Sequence, residues 1–588
     1  MLGTQGLRLE DPGTLGGSAL ASWTPLVALL AAFAVVVLGL IVRGRTNPSW
    51  GGLRVLSRAP DSLTRLTGVP GWAAVAIGTS LFGLLVAGQG FYSDVAWHIA
   101  LGRDDELFTA PHASILLGLV LILAGAVLGT LTATLDQVPD TLRLGGLRVP
   151  RSLLPLWALS LGAVSGFPID ELWHQAYGVD VTMWSPTHML MILGATFTGL
   201  AVWLVLADSG VAPTTSRWGR GLHVLCAWLT LQGLVAPLGE FSFGVPQFRL
   251  LFAPVLVCLA GGLALTAMRV VLGPGWTLGI ASVSFLLMGG GGDSGPVETR
   301  HVGTFIASAA AVELIALLIG IDRRLRFAVA SGVAVGTVGL AGEWWWNQDA
   351  FQPWTSSLLP EVVVLGIVVS VAAAVVGARY VEAIAPRDDQ SEAVSGRLVA
   401  AAAAVCVVTI LALLPRGTGE VTADIRYESA GAGRVLVEAT LNPPDAADGA
   451  HWFQISAWQG GGLDLADMEP TGRLGTYRSE GSVPVDGHWK TLLRLHRDGE
   501  MMALPLFLPA DPTIGATEIT PTDRTLAFAG ERRYLLRETH DGNAWLSPLV
   551  HGFLVVTCSL WALAFVVAVR SLGSGRSSPV LPQERLRG

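Results

Sequence analysis

The chain alternates between long apolar stretches and short polar breaks. The apolar stretches fall at roughly 22–42, 71–91, 112–134, 152–168, 186–207, 221–240, 250–271, 276–291, 302–321, 327–343, 360–380, 397–415 and 547–570. Each approaches the roughly 20 residues that a helix needs to cross about 30 Å of hydrocarbon. The pattern therefore predicts an all-α polytopic membrane protein of about 13 transmembrane helices, built from repeated helical hairpins. Every second break is rich in arginine: Arg43, Arg45, Arg54, Arg58 and Arg65; Arg143, Arg148 and Arg151; Arg217 and Arg220; Arg323, Arg324 and Arg326; Arg379, Arg387 and Arg397; and Arg570, Arg576, Arg585 and Arg587 in the tail. Positive charge collects on the cytoplasmic side of membrane proteins. The expectation is a multi-pass protein of the cell membrane, N-terminus outside and C-terminus cytoplasmic. Arginines follow the first apolar run as they follow an anchored span, so no cleavable signal peptide is expected.

One long interval breaks the rhythm. Between residues 416 and 546, the segments RVLVEATL, HWFQISAW, HWKTLLRLH and MMALPLFL alternate or run apolar for the length of a strand, with Gly, Pro and Asp between them. This predicts an extracytoplasmic β-sandwich. The expected organisation is an outer N-terminal segment at 1–21, a helical membrane domain at 22–415, the β-domain at 416–546, a final span at 547–570 and a cytoplasmic tail at 571–588.

Composition agrees. Of 588 residues, 51% are hydrophobic and 14% charged, with a mean hydropathy of +0.55, which excludes an ordinary soluble multidomain protein. The net charge of -8 is sorted by side of the membrane, and nucleic acid is not an expected partner. A single lysine, Lys490, stands in a Lys+Arg total of 37, the coding habit of a GC-rich genome. The four cysteines, Cys226, Cys258, Cys406 and Cys558, lie inside apolar runs with no CxxC spacing, which argues against a disulfide framework or thiolate zinc site.

The candidate chemistry lies in the arginine-poor breaks. DVAWHIALGRDDELFTAPH carries Asp94, His98 and His112; DELWHQAYGVDVTMWSPTH carries Asp170, His174 and His188 at the same offsets. The shared pattern is D-x3-H-x13-H. Trp97, Ala100, Gly102 and Asp104 recur as Trp173, Ala176, Gly178 and Asp180, and Pro111 or Pro186 precedes the last histidine. Duplicated hairpins are a common membrane construction that places sites at repeat interfaces. A fainter copy is read in GEWWWNQDAFQPWTSSLLPE, where Glu343, Asn347 and Glu361 take the three positions as a degenerate site. Glu240 and Arg249, and Asp293, Glu298 and His301, are polar turns of other hairpins without this spacing.

Asp and His at i and i+4 share one face of a helix, and the returning chain brings the third group. Two imidazoles and a carboxylate suit copper, iron or zinc, and three protein ligands leave positions open for water, oxygen or substrate. The competing reading is a set of solvated interfacial groups. Six residues in two matched triads weigh against it, since ionisable groups at membrane depth are costly and usually functional. Asp104 and Asp180 are candidates to hydrogen-bond ligand imidazoles. The tryptophans Trp97, Trp173, Trp184 and Trp344 to Trp346 fit an interfacial aromatic belt. His223 reads as a packed residue. His451, His488, His496 and His540 read as scattered surface histidines of the β-domain, with copper binding as the alternative.

AWHIALGRDDELFTAPH, and more loosely LWHQAYGVDVTMWSPTH, resemble the metal-binding segments in the C subunit of the copper membrane monooxygenases, the family of particulate methane and ammonia monooxygenases. The likeness extends to Arg103, Asp104, Phe108, Thr109 and His112, and to the order and separation of the two segments. It implies one copper site at Asp94, His98 and His112 and a second at Asp170, His174 and His188, with Asp170 where the family has Asn. The β-domain would bear a weak resemblance to the cupredoxin-like modules of the B subunit. The likeness covers roughly residues 70–210, about a quarter of the chain, and the additional spans and fused β-domain depart from the family.

Three readings follow. The first is an oxidoreductase in which copper near the outer face activates oxygen to hydroxylate a small apolar substrate. It requires a quinone or another electron donor as partner, and allows further subunits or a homo-oligomer. The second is a copper-handling protein for transport, storage or delivery. Nine methionines with no MxxxM ladder argue against simple conduction. The third is a structural or partner-binding protein that holds no metal. Zinc hydrolysis suits the donor set but lacks a nearby Glu placed as general base.

Overall fold

A computed structural model describes residues 22–575 apart from 101–107, 178–181, 243–244, 289–302, 349, 351–352, 386–392, 418, 513–514 and 536–542. Its helices are α1 Thr24–Arg43, α2 Arg54–Thr67, α3 Gly71–Ala100, α4 Ala110–Leu135, α5 Leu154–Tyr177, α6 Pro186–Thr196, α7 Thr198–Asp208, α8 Arg217–Val235, α9 Phe252–Leu272, α10 Trp276–Met288, α11 Ile306–Ile319, α12 Arg324–Ala334, α13 Leu340–Asn347, α14 Leu359–Ile384, α15 Gly396–Ala412 and α16 Leu546–Gly575, besides two four-residue helices.

Among the described residues, ten helical stretches are long and apolar enough to cross a membrane, with α6–α7 and α12–α13 each counting as one. The other three predicted stretches form shorter apolar helices, α10, α11 and α15. At 1.5 Å per residue, the 14 residues of α11 reach only about 21 Å. Helix α2 was not foreseen. It is amphipathic, and its Arg65 Nη2 donates to the carbonyl of Arg43 at the end of α1.

The first hairpin is close-packed because glycine faces backbone. A Cβ on Gly83 would lie 2.7 Å from the Gly118 carbonyl oxygen, and one on Gly118 would lie 2.4 Å from the Ala87 nitrogen. Small residues at such a seam let two helices approach closely. The second hairpin, α5 with α6, repeats the device: Gly194 sits against Ala163 and the Leu159 carbonyl. Helices α7 and α9 form the centre of the bundle. His223 lies there fully buried, accepting from Trp203 Nε1 at 2.9 Å and donating from Nε2 to the Val211 carbonyl at 2.8 Å, a packed residue as expected. The peripheral α16 leans on α5 through Trp561, whose Nε1 donates to the Ala158 carbonyl at 2.7 Å.

Between α15 and α16 lies an antiparallel β-domain. A short hairpin, β1 Leu142–Leu144 and β2 Leu147–Val149, precedes it in the chain. Its strands are β3 Thr422–Gly431, β4 Arg434–Asn442, β5 Trp452–Trp458, β6 Leu463–Pro470, β7 Thr476–Ser479, β8 Val483–Pro484, β9 Lys490–Arg497, β10 Glu500–Phe507, β11 Arg524–Ala527 and β12 Ala529–Gly530. They pair in the order β11-β3-β4-β7-β6-β5-β9-β10-β12, with β8 also on β4. Val435, Val437, Ala439 and Leu441 of β4 point inward with period two and meet Leu493, Leu495, Met502 and Leu504 from β9 and β10 in one apolar core.

Strands β9 and β10 are buried on both faces, because the second face receives the chain between α8 and α9. Val245 packs with Trp458, Leu492, Ala503 and Leu508. Arg494, fully buried, donates to the Pro246 carbonyl. Its guanidinium also grips Glu531, with Nε to Oε2 at 3.0 Å and Nη2 to Oε1 at 2.6 Å. Burial alone would raise the Glu531 carboxyl, but Arg494 first and His496 second hold it down at about 2. The docked face therefore carries an ion pair throughout the neutral range. A buried charge is tolerated only when paired in this way.

Candidate metal centre

Helices α3 and α5 run toward the bundle end at which α4 and α6 begin, so both triads lie at one end. The arginines at the end of α1 and the starts of α8 and α12 occupy the opposite end. Both helices continue beyond their predicted ends, to Ala100 and Tyr177, so each Asp/His pair rides on a final helical turn.

The third ligand is placed by a helix cap. Thr109 is the N-cap of α4, and its side chain accepts from the His112 backbone N at 3.5 Å. Ser185 does the same for α6, accepting from His188 N at 3.2 Å. Pro follows within the first turn in both. Proline suits that position because its missing N–H would have no helical partner there. The cap and the proline make the histidine the third helical residue and turn it back toward the preceding helix.

In the first site, Asp94 Oδ1 lies 3.6 Å from His98 Nε2 and 2.9 Å from His112 Nε2. In the second, Asp170 Oδ2 lies 3.3 Å from His174 Nε2, and Oδ1 lies 3.5 Å from His188 Nε2. Within each triad, one ligand atom from every residue lies within 4.8 Å of the others, so both groups could hold a metal ion. A tetrahedral ion with ligand bonds near 2.1 Å sets its ligands about 3.4 Å apart, close to these separations. The six side chains retain 14–22% of their exposure, enough for an ion or small molecule to arrive.

The second site contains a sharper indication. His188 Nδ1 lies 2.8 Å from the Thr182 carbonyl oxygen. A carbonyl only accepts, so Nδ1 carries the proton, and a neutral His188 presents the Nε2 lone pair toward the Asp170 carboxylate. Two electron pairs facing each other at 3.5 Å repel unless a proton or a metal cation lies between them. Asp170 is itself oriented by Thr187, whose hydroxyl donates to Oδ1 at 2.5 Å, while Ser185 Oγ lies 3.1 Å from the same hydroxyl. Such outer contacts fix ligand orientation.

The sites are neighbours. The His112 ring meets Phe167 edge-on at 6.4 Å between centroids, and Phe167 lies one turn before Asp170. Phe91 and Val95 from α3 pack with Met183, Trp184 and Ile192 from the second hairpin. The β-domain lies over this end: Gln459 Nε2 donates to the His98 carbonyl at 3.2 Å. The chain entering α16 is tied to the same end, where the Tyr177 hydroxyl donates to the Asn543 carbonyl at 3.2 Å.

Other candidates fare differently. Asp104 and Asp180 lie outside the described residues, as do Asp293, Glu298, His301 and His540. The proposed degenerate site is not drawn together. Glu343 accepts from the backbone N–H groups of Gly303, Thr304 and Phe305; Asn347 Oδ1 accepts from Trp354 N; Glu361 pairs with Arg249 at 3.2 Å. Each has taken a separate structural partner, and residues 343 and 347 belong to a helix reached through a π-turn, Val335–Gly339, that apolar periodicity does not reveal. His451 and His496 are buried rather than scattered on the surface: His451 Nδ1 meets Ser357 Oγ at 2.8 Å and His496 Nε2 meets Glu531 at 2.5 Å. His488 is exposed. Trp184, assigned to the aromatic belt, is wedged among Phe241, Phe248 and Phe252.

No family model, no curated protein and no solved structure matches the chain.

Proposed function

We propose that this is a membrane metalloprotein related to the copper membrane monooxygenases, with two copper sites facing the outer side of the membrane, that oxidises a small apolar substrate with dioxygen. The observation that carries the reading is the pair of matched Asp/His/His groups at one end of the bundle. Its support as copper is the donor set, two imidazole nitrogens and one carboxylate oxygen with open positions, together with the resemblance of the two segments. Copper bound there would supply the reduction of dioxygen.

The chain's own residues would prepare that chemistry. Asp94 and Asp170 offset the charge of a cation, and the Thr182 carbonyl holds the proton of neutral His188 on Nδ1, which leaves the Nε2 lone pair for it. Phe91 and Val95 of α3 pack with Met183 and Ile192 of the second hairpin, an apolar cluster between the two helical hairpins that carry the triads, which would limit water there. A small hydrocarbon arriving through the lipid would meet this apolar wall. The overall reaction, RH + O2 + QH2 → ROH + H2O + Q, takes both electrons and both protons from a membrane quinol.

The test is oxygen turnover by the full-length protein in lipid nanodiscs, loaded with copper and given a quinol and 18O2. The expected result is 18O in a hydroxylated short-chain hydrocarbon, lost in His98→Ala or His174→Ala. Copper binding without oxygen consumption across a panel of small hydrocarbons would overturn the monooxygenase reading in favour of copper storage or delivery, which the partial exposure of the ligands also permits.

A further inference from the structure

The acid group of the third hairpin is aimed at the second metal site without belonging to it. Glu240 ends the stretch Arg217–Phe241 and is 3% exposed. Its Oε2 accepts from Thr182 Oγ1 at 3.0 Å and from Met183 N at 2.8 Å, and its Oε1 accepts from Gln247 N at 2.7 Å. Thr182 is the residue whose carbonyl takes the Nδ1 proton of His188. The turn is pinned a second time by Trp184, whose Nε1 donates to the Pro237 carbonyl at 3.0 Å.

We propose that Glu240 is a positioning residue for the second site: it clamps the 182–184 turn so that the Thr182 carbonyl fixes the tautomer and ring plane of His188. The inference rests on the metal-site reading above. A carboxylate accepting several N–H and O–H groups forms shorter and stronger bonds than a neutral acceptor. It supplies no ligand atom, and its effect reaches the ion through one carbonyl and one imidazole. The same carboxylate also ties in the chain that docks on the β-domain, because Gln247 follows Pro246, the acceptor of Arg494. Glu343 performs the parallel task one unit later, gathering the N–H groups of Gly303, Thr304 and Phe305. Asp at the helix end thus faces two imidazoles in the first two hairpins, and Glu at the helix end secures a neighbouring turn in the later ones.

Glu240→Gln is nearly isosteric but turns an NH2 group toward donors. It is made in a His98→Ala background, so that only the second site reports, and Cu(II) binding to the full-length protein in detergent is followed by competition titration and EPR. The expected result is affinity lower by roughly 10–100-fold, the range for outer hydrogen-bond partners, with altered copper hyperfine coupling, in a metal-free protein that stays folded but melts lower because a buried acceptor of three bonds has been weakened. Thr182→Val, which removes the bond to Glu240 and the one that Trp184 N donates to the same hydroxyl but keeps the carbonyl and the Met183 N–H bond to Glu240, should shift both readouts in the same direction, and unchanged readouts in it overturn the clamp if Glu240→Gln does not fold. Unchanged affinity and spectrum in a folded variant overturn the positioning role alone. A His98→Ala protein that binds no Cu(II) at all overturns the metal-site reading, and this inference with it.

Discussion

Ser185 shows how much of the second site depends on residues that never touch an ion. Its Oγ accepts from the His188 N–H and meets the Thr187 hydroxyl, which in turn holds Asp170. Ser185→Ala should cost about 1 kcal/mol of helix-start stability and weaken metal binding at the second site by about 10-fold or more. Binding at the first site, whose cap is Thr109, should stay unchanged. Isothermal titration of single-site variants reads both. Equal weakening at the two sites would contradict this local account. The six candidate ligands were legible as residues because the same side chains recur at the same spacing. Glu240 was visible as a polar residue, but its role was not: its partners include the N–H groups of Met183 and Gln247, which carry no side-chain signature. The one available signal was the recurrence of Gly-Glu-aromatic at Gly239–Phe241 and Gly342–Trp344, each at the end of a helical stretch.

At the scale of the element, each ligand set depends on the fit between two helices of a hairpin. Gly118 sits where the backbone of α3 passes, so Gly118→Leu must push α4 away from α3. Overpacking of this kind costs about 1–3 kcal/mol, and the displacement separates His112 from Asp94. The expected outcome is loss of metal at the first site with the second largely retained, read as metal per chain by mass spectrometry of the intact protein. Retention of both ions would show that the hairpin seam does not set the site. Apolar stretches announced the positions of these helices well, because a helix in lipid must satisfy its own backbone and be apolar almost all round. They located helix ends less well. Asp94, His98, Asp170 and His174 are polar yet helical, so hydropathy ends the span before the backbone does. The short helices α10 and α11 and the π-turn before α13 follow from packing against neighbours, which a one-dimensional pattern does not contain.

For the whole molecule, the β-domain and the membrane bundle share their polar contacts at the end that holds the triads. Gln459 reaches the carbonyl of His98, and Arg494 reaches Pro246 beside the Glu240 network. The strand segments were legible from alternation, and β4, β5, β9 and β10 fall on them. What covers the second face of β9 and β10 was not, since Arg494 and His496 inside an apolar strand look like surface residues until the partner Glu531 and the 245–249 segment are in place. The resulting picture is a helical bundle with two ligand sets at one end and a β-domain over them. In this arrangement the two sets hold metal independently. The most direct test is the metal content of the detergent-purified protein after copper loading, beside His98→Ala and His174→Ala. About two copper ions per chain are expected, one for each triad, falling by one in either variant. A protein that retains no copper, iron or zinc after loading would contradict it and leave the triads as interfacial hydrogen-bonded groups.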